Sequence, residues 1–343
     1  MKKTLTVIFL FVISFILIIS LIVGIFIKNI SDKTNRSLSY FFQTYSTAQK
    51  NRQNIADDSI SIMVFGLDRR DDLLEKTEVT DTIILANINL KTAKLNLISI
   101  PRDLWSYDTN TKVNSIYPLS KDKQNKFQFI QSEFEKITGQ KITNTIVIST
   151  DNLIDFVQLI GGVDIYLENG FIDDKYPNPD YVANPSPLIP IYKTIKFPAG
   201  KNHLDISNIT EFVRSRKNAE TSANGGTDIG RILRQQLLIE AIIQKIKNSD
   251  FIKSPKNLIH LYNFWRQTIE TNINDSDIIT WGLLLDKNVK NITIQKTTVP
   301  TAEYPEVSVI YHPYRFINTQ WVYIPEDENY KKLHQFIAKS IGE

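Results

Sequence analysis

The chain has 343 residues, 42% of them hydrophobic and 22% charged, with a formal net charge of +3. That length supports one large domain or two modest ones with a real core, and the near-balanced charge, without a basic block or zinc-finger spacing, argues against a nucleic-acid partner. Cysteine is absent, which excludes disulfides, thiolate metal sites and a cysteine nucleophile and fits an extracytoplasmic protein.

Lys2 and Lys3 precede an uncharged run from Leu5 to Ile27, interrupted only by Thr6, Ser14, Ser20 and Gly24. The run is long enough to span roughly 30 Å of hydrocarbon, so residues 1–27 read as a cytoplasmic tip and transmembrane anchor. A cleaved signal peptide would show an apolar core of about 7–15 residues and a small-residue cleavage site; "FIKNISDK" offers no such site. Lys28, Lys33 and Arg36 follow the span, so the positive-inside count leaves orientation open. Residues 28–57 are polar and read as a stalk, with Tyr40, Phe41, Phe42 and Tyr45 placed to rest either on lipid or on the domain that follows.

From residue 58 to 343 the pattern is that of a folded domain. "SIMVFGL", "TIILANI", "KLNLISI" and "NTIVIST" are short runs, mostly apolar on both faces, as in strands of a central sheet covered by helices. Helices are predicted over "FQFIQSEFEKITG" and "DNLIDFVQLIGG", the second with Asp151 as N-cap and Gly161 as stop. "VDIYL" returns as a strand, so strands and helices alternate in an α/β manner. Residues 172–200 carry six prolines and read as an exposed loop. Nine of the seventeen residues 231–247 are apolar, predicting a helix whose broad face packs inward or lines an apolar cavity. More helix, a strand near "NITIQKTTV" and a closing helix over "EDENYKKLHQFIAKSI" complete the chain.

Polar clusters stand at the ends of these elements. Asp68, Arg69 and Arg70 follow a strand, Asp81 opens one, and Arg102 and Asp103 sit just past "ISIP". Arg214, Arg216, Asp228, Arg231, Arg234 and Gln235 form a fourth group. Arg214 and Arg216 would share a face of an extended segment. Arg231 and Arg234 lie near a helix N-terminus, where a cation opposes the macrodipole unless an anion joins it. Guanidinium matches phosphate with two parallel donors, and several of them converging would repel one another without an anion. A solvated basic face paired with Asp228, Glu220 and Glu211 is the alternative. If the strands ending at Leu67 and beginning at Thr82 are neighbours, Asp68 and Asp81 approach one another. Two carboxylates with no histidine nearby suit a hard cation such as Mg²⁺, completed by phosphate oxygens; each aspartate could instead serve a turn or an arginine. The four histidines show no paired spacing, which argues against zinc. No phosphate loop, dinucleotide fingerprint or nucleophile elbow is present, and Ser99 reads as a strand residue.

In order, "VFGLDRR", "TDTIILANINLKTAKLNLISIPRDLW", "KVNSIY", "LIGGVDI", "FPAGKNHLD", "FVRSRK" and "DIGRILRQQ" resemble the LytR-CpsA-Psr family over a motif core of residues 58–247. The resemblance implies a three-layer α/β/α sandwich around a mixed central sheet, with a prenyl pocket and one N-terminal transmembrane helix. It implies a single-pass protein of the cell membrane whose catalytic domain is extracytoplasmic. It also implies transfer of a glycopolymer (teichoic acid, capsule or another wall polysaccharide) from a polyprenyl-diphosphate carrier to peptidoglycan through a phosphodiester. By residue, it places Asp68 and Asp81 on the metal and catalysis pair, with Mg²⁺ or Mn²⁺ as cofactor. Arg102 falls on the diphosphate contact, with Asp103 beside it as a possible base, and Arg70, Arg214, Arg216, Arg231, Arg234 and Gln235 fall on further diphosphate-binding positions. The fifteen-position step from Arg216 to Arg231 looks longer than usual for the family, and Asp205 stands where a glycine is common. A tethered prenyl-diphosphate sensor and a diphosphatase are the alternative activities.

Overall fold

The computed structural model describes residues 31–54, 59–67, 79–215, 228–248, 254–285 and 291–342. The anchor expected over 1–27 lies outside these residues; among the described residues no helix is long and apolar enough to cross a membrane. Ten helices are labelled here: α1 (Leu38–Asn54), α2 (Ile116–Ser120), α3 (Lys126–Thr138), α4 (Thr150–Leu159), α5 (Pro179–Ala183), α6 (Ile209–Arg214), α7 (Asp228–Asn248), α8 (Pro255–Thr268), α9 (Asp275–Leu285) and α10 (Lys331–Ile341). The strands are β1 (Ser59–Leu67), β2 (Thr80–Asn89), β3 (Lys94–Ser99), β4 (Trp105–Ser106), β5 (Thr111–Lys112), β6 (Asn144–Ser149), β7 (Val163–Leu167), β8 (Phe171–Pro177), β9 (Tyr192–Phe197), β10 (Gly200–Leu204), β11 (Glu270–Thr271), β12 (Thr293–Thr298), β13 (Thr301–Glu303), β14 (Ile310–His312) and β15 (Ile324–Pro325).

Six strands make the central sheet in the order β11-β6-β1-β2-β3-β12. β1 with β6 and β3 with β12 are parallel, and the other three pairs are antiparallel. The sheet is therefore mixed, as the resemblance implies. Its two faces differ, and β1 shows why. Met63, Phe65 and Leu67 point to one side and are buried with Ile130, Phe134 and Ile137 of α3 and Leu333 and Ile337 of α10. Phe65 meets Phe134 edge-on at 5.2 Å. Ile62, Val64 and Gly66 point to the other side, as do Ile146 and Ile148 of β6, and all five are only partly buried. The period-2 alternation of a strand thus separates a packed face from one that lines a void.

The second face is roofed by α4, α7, α8 and α9. Gln236 fastens α7 to the sheet: its Nε2 donates to Ser99 Oγ at 2.8 Å and to the Thr297 carbonyl at 2.9 Å. Ser99 is therefore a structural strand residue, as expected. The α4 N-cap is Ser149, whose hydroxyl accepts from the Asn152 N–H; Asp151 falls in the first turn instead, where a carboxylate still favours the helix dipole.

Two expectations are corrected. Residues 172–200 are not one loop: β8 and β9 pair antiparallel, and their Phe171 and Phe197 stack at 5.0 Å beside Phe212. The prolines avoid the ladder interior. Pro177 ends β8, Pro179 opens α5, and Pro185, Pro187 and Pro190 lie in the connection. The segment expected as a stalk contains α1, which docks on the domain. Tyr40 donates its hydroxyl to Asp275, Ala48 is fully buried, and the Ala48 carbonyl accepts from Thr280 Oγ1 at 3.3 Å. Tyr40 thus rests on protein, whereas Phe42 stays 70% exposed.

Phe134→Ala removes a fully buried ring joining α3 to the sheet and is expected to cost about 3–5 kcal/mol in urea unfolding.

Candidate functional site

The site is built around Asp81. β2 pairs with β1 as Gly66↔Thr82 and then Leu67↔Thr80, so Asp81 is the extra residue of a β-bulge. A bulge re-aims the side chain it carries, and Asp81 turns into the void beneath the roof helices. Gly66 is required there, because a Cβ on it would stand 2.8 Å from Thr82 Cβ.

Two arginines from distant segments close on this carboxylate. β3 ends, Pro101 stops the strand, and Arg102 reaches Asp81 Oδ1 through Nη1. From the fourth position of α7, Arg231 brings Nη1 to 3.5 Å from Asp81 Oδ2 and donates Nη2 to the Asp81 carbonyl at 3.3 Å. Asp81 is 9% and Arg231 3% exposed, so the pair lies in a poorly solvated setting where charges interact strongly. Arg231 tolerates the N-terminal end of a helix because Asp81 supplies the opposing charge. Asp103 sits behind Arg102: Oδ2 is 3.5 Å from Arg102 Nε, and Oδ1 accepts from Lys112 Nζ at 2.7 Å. It stands beside Arg102, and neither residue lines the cavity wall, which Arg102 reaches only through Asp81.

The remaining expected residues divide. Arg214 and Gln235 line the cavity. Arg214 is the last residue of α6, not part of an extended segment, and a cation there complements the helix dipole. Gln235 Nε2 is 3.5 Å from the Val213 carbonyl, while its buried Oε1 has no protein partner among the described residues. Arg234 does not face the cavity. It lies about 100° around the helix from Gln235, and its Nε donates to the Phe212 carbonyl at 3.0 Å and its Nη2 to that of Ser215. Its guanidinium lies 4.4 Å over the Phe171 ring. Burial, with Arg231 adding repulsion, lowers its pKa to about 10 against the pull of Asp173, and it remains charged at neutral pH. Arg234 clamps the end of α6 and so positions Arg214. Asp68, Arg70 and Arg216 lie outside the described residues.

Behind the charges the cavity is apolar and measures about 670 Å³. From Arg231 and Gln235 the cavity-facing stripe of α7 continues through Leu238, Ile239, Ile242, Ile243 and Ile246, the i, i+4, i+7, i+8 spacing of one helix face. Phe264 and Trp265 of α8 and Ile278 and Trp281 of α9 complete the far end. Thr82, Ser149 and Thr150 add hydroxyls near the mouth. Ser149 and Thr150 were not expected as site residues. Their signal was topological: parallel β1 and β6 open their carboxyl ends at one edge, the place where ligands bind in α/β sheets.

A metal fit follows from the donors. Among the described residues no group of three or more His, Asp and Glu could hold an ion. The mouth offers hydroxyls and one carboxylate, Asp81, whose two oxygens face Arg102 and Arg231; these are hard oxygens of the kind that suits Mg²⁺, which draws its other ligands from phosphate and water.

The LytR_cpsA_psr family model matches residues 26–339. The chain is 23% identical over 290 residues to the polyisoprenyl-teichoic acid–peptidoglycan teichoic acid transferase TagU of Oceanobacillus iheyensis, covering 83% of this chain and 77% of that protein. It is 25% identical over 238 residues to the cell wall biosynthesis protein LcpA of Corynebacterium glutamicum, covering 60% of this chain but only 43% of LcpA. Among solved structures, Bacillus subtilis TagV superposes with a TM-score of 0.56 at 19% identity, covering 84% of this chain and 98% of that one.

Arg234→Lys cannot keep both carbonyl contacts and the ring stacking. It is expected to cost about 1.5–3 kcal/mol in denaturant unfolding.

Proposed function

This chain belongs to the LytR-CpsA-Psr family, and we propose that it is a membrane-anchored transferase that moves a glycopolymer from a polyprenyl-diphosphate carrier to peptidoglycan through a phosphodiester. One observation carries the reading: a carboxylate bridged to two guanidiniums stands at the mouth of a cavity of about 670 Å³ whose far end is apolar. A ligand with a polyanionic head and a long hydrocarbon tail satisfies both ends at once. The transferase name of TagU, a relative over most of this chain, agrees with that chemistry.

Arg102, Arg231 and Arg214 bind the diphosphate, with Arg70 and Arg216 as further contacts carried by the family resemblance. Gln235 offers its amide at the same mouth. The α7 stripe from Leu238 to Ile246 holds the tail and excludes water from the head. Asp81, with Asp68, would hold Mg²⁺, which when bound neutralises phosphate charge. The acceptor hydroxyl oxygen attacks the cargo-proximal phosphorus. The bond from that phosphorus to the bridging oxygen breaks, polyprenyl phosphate leaves, and the hydroxyl proton passes to a carboxylate of the Asp68/Asp81 region. The arginines act by alignment and charge stabilisation, the dominant demands of phosphoryl transfer. Asp103, held by Lys112, keeps Arg102 in place. Residues 1–27 tether the domain on the outer face of the membrane, and α1 fixes that tether against α9.

The test is Asp81→Asn in the full chain, supplied with prenyl-diphosphate-linked sugar, peptidoglycan fragments and Mg²⁺. Transfer is expected to fall by about 10²-fold or more while lipid-diphosphate binding persists. Undiminished transfer would remove Asp81 from the reaction. A wild type that binds without turnover would mark a tethered sensor, and one that releases cargo without peptidoglycan a diphosphatase.

A further inference from the structure

Residues 304–323 carry a row of aromatic rings, exposed at Tyr304, Tyr314 and Phe316 and partly buried at Trp321 and Tyr323, where Tyr323 also packs on the main core. Tyr323 meets Trp321 edge-on at 4.7 Å, Trp321 stacks on His312 at 4.7 Å, and His312 lies 5.7 Å from Phe316. Tyr304 and Tyr314 form a neighbouring pair at 5.8 Å. Tyr314 is 79%, Phe316 61% and Tyr304 57% exposed, so their faces are not spent on the core. Scattered exposed apolar residues need no explanation, but a contiguous patch marks an interaction surface.

The row is held rigid. His312 Nδ1 is 2.8 Å from the Val322 carbonyl, which fixes the ring against Trp321. Ile317 and Gln320 exchange backbone hydrogen bonds around a two-residue turn, with Asn318 and Thr319 both at positive φ (49° and 64°). That is the hairpin geometry that sets Phe316 and Trp321 side by side, kept although a β-branched residue is disfavoured there. The row also runs directly to the site. The Tyr323 N–H donates to the Asp103 carbonyl and the Trp105 N–H to the Tyr323 carbonyl, each at 2.8 Å. The strand bearing the rings is thus hydrogen-bonded to the segment that delivers Arg102.

We propose that this row is a carbohydrate-binding platform for the acceptor, a chain of N-acetylated hexosamine rings laid along Tyr314, Phe316 and the partly exposed Trp321, with the backbone of Tyr323 leading on toward Arg102. The inference rests on the transferase reading above and names the surface that reading lacks. Flat ring faces pair with the C–H faces of pyranoses, while amide and hydroxyl edges at Asn318, Thr319 and Gln320 match sugar hydroxyls and acetamides. Charge selects this occupant over a membrane. Between Val299 and Pro325 there is one arginine, two glutamates and no lysine, the opposite of the basic surface that anionic lipid attracts. The exposed Glu303 and Glu306 likewise disfavour a polyanionic cargo chain.

The experiment follows tryptophan fluorescence of the full chain titrated with a β-1,4-linked N-acetylglucosamine tetramer, and in parallel with farnesyl diphosphate. The Tyr314→Ser/Phe316→Ser double variant changes only exposed rings. It is expected to weaken tetramer binding at least ten-fold and to raise the acceptor KM without changing kcat, leaving farnesyl diphosphate affinity within two-fold. Equal tetramer binding by variant and wild type would overturn the platform. So would a wild type that ignores the tetramer, including one that binds phosphatidylglycerol vesicles instead. Loss of farnesyl diphosphate binding by the wild type would count against the transferase reading, not against the platform.

Discussion

The Asp81 carboxylate, shared between Arg102 and Arg231, is the interaction on which the site depends. It joins a strand bulge, a strand end and a helix start that are far apart in the chain. Arg231 has little solvent to stabilise it and sits at the unfavourable end of a helix dipole, so a single anion must hold it. Breaking such a pair leaves an uncompensated buried charge, worth about 3–5 kcal/mol. Asp103 stands behind Arg102 at 3.5 Å, and Arg214 adds a third cation at the cavity wall.

The second constraint is the unfilled face of the sheet. Protein interiors close to the density of organic crystals, and on the Met63, Phe65, Leu67 side this one does. On the Ile62, Val64, Gly66 side it does not, although most residues around the void are aliphatic or aromatic. Gln236 pins α7 to β3 and β12 beside the void. An apolar cavity of that size stays open to a ligand of matching chemistry. The charged mouth then determines which end of the ligand lies where.

Much of this could be read from residue order. The central sheet followed from apolar runs, its mixed character from the family resemblance and the α7 stripe from helical spacing, while the approach of Asp81 to the end of the Leu67 strand was legible only on the condition that the two strands are neighbours. The rest depended on context that periodicity does not carry. Arg234 and Gln235 are adjacent in sequence, yet a 100° step separates a structural clamp from a cavity residue. The prolines of 172–200 hid β8 and β9 because their density masked the alternation of Ile195 and Phe197 with lysine and threonine. Polar composition hid the docking of α1, which depends on Tyr40, Ala48 and Asp275 meeting across more than two hundred residues.

The central claim is that one ligand must satisfy the charge cluster and the cavity together. Calorimetric titration of the protein with geranylgeranyl diphosphate, geranylgeraniol and inorganic pyrophosphate tests it most directly. The lipid diphosphate is expected to bind at least about 100-fold more tightly than either half, a difference of about 2.7 kcal/mol. Pyrophosphate binding as tightly as the lipid diphosphate would show that the cavity contributes nothing, and would contradict the claim.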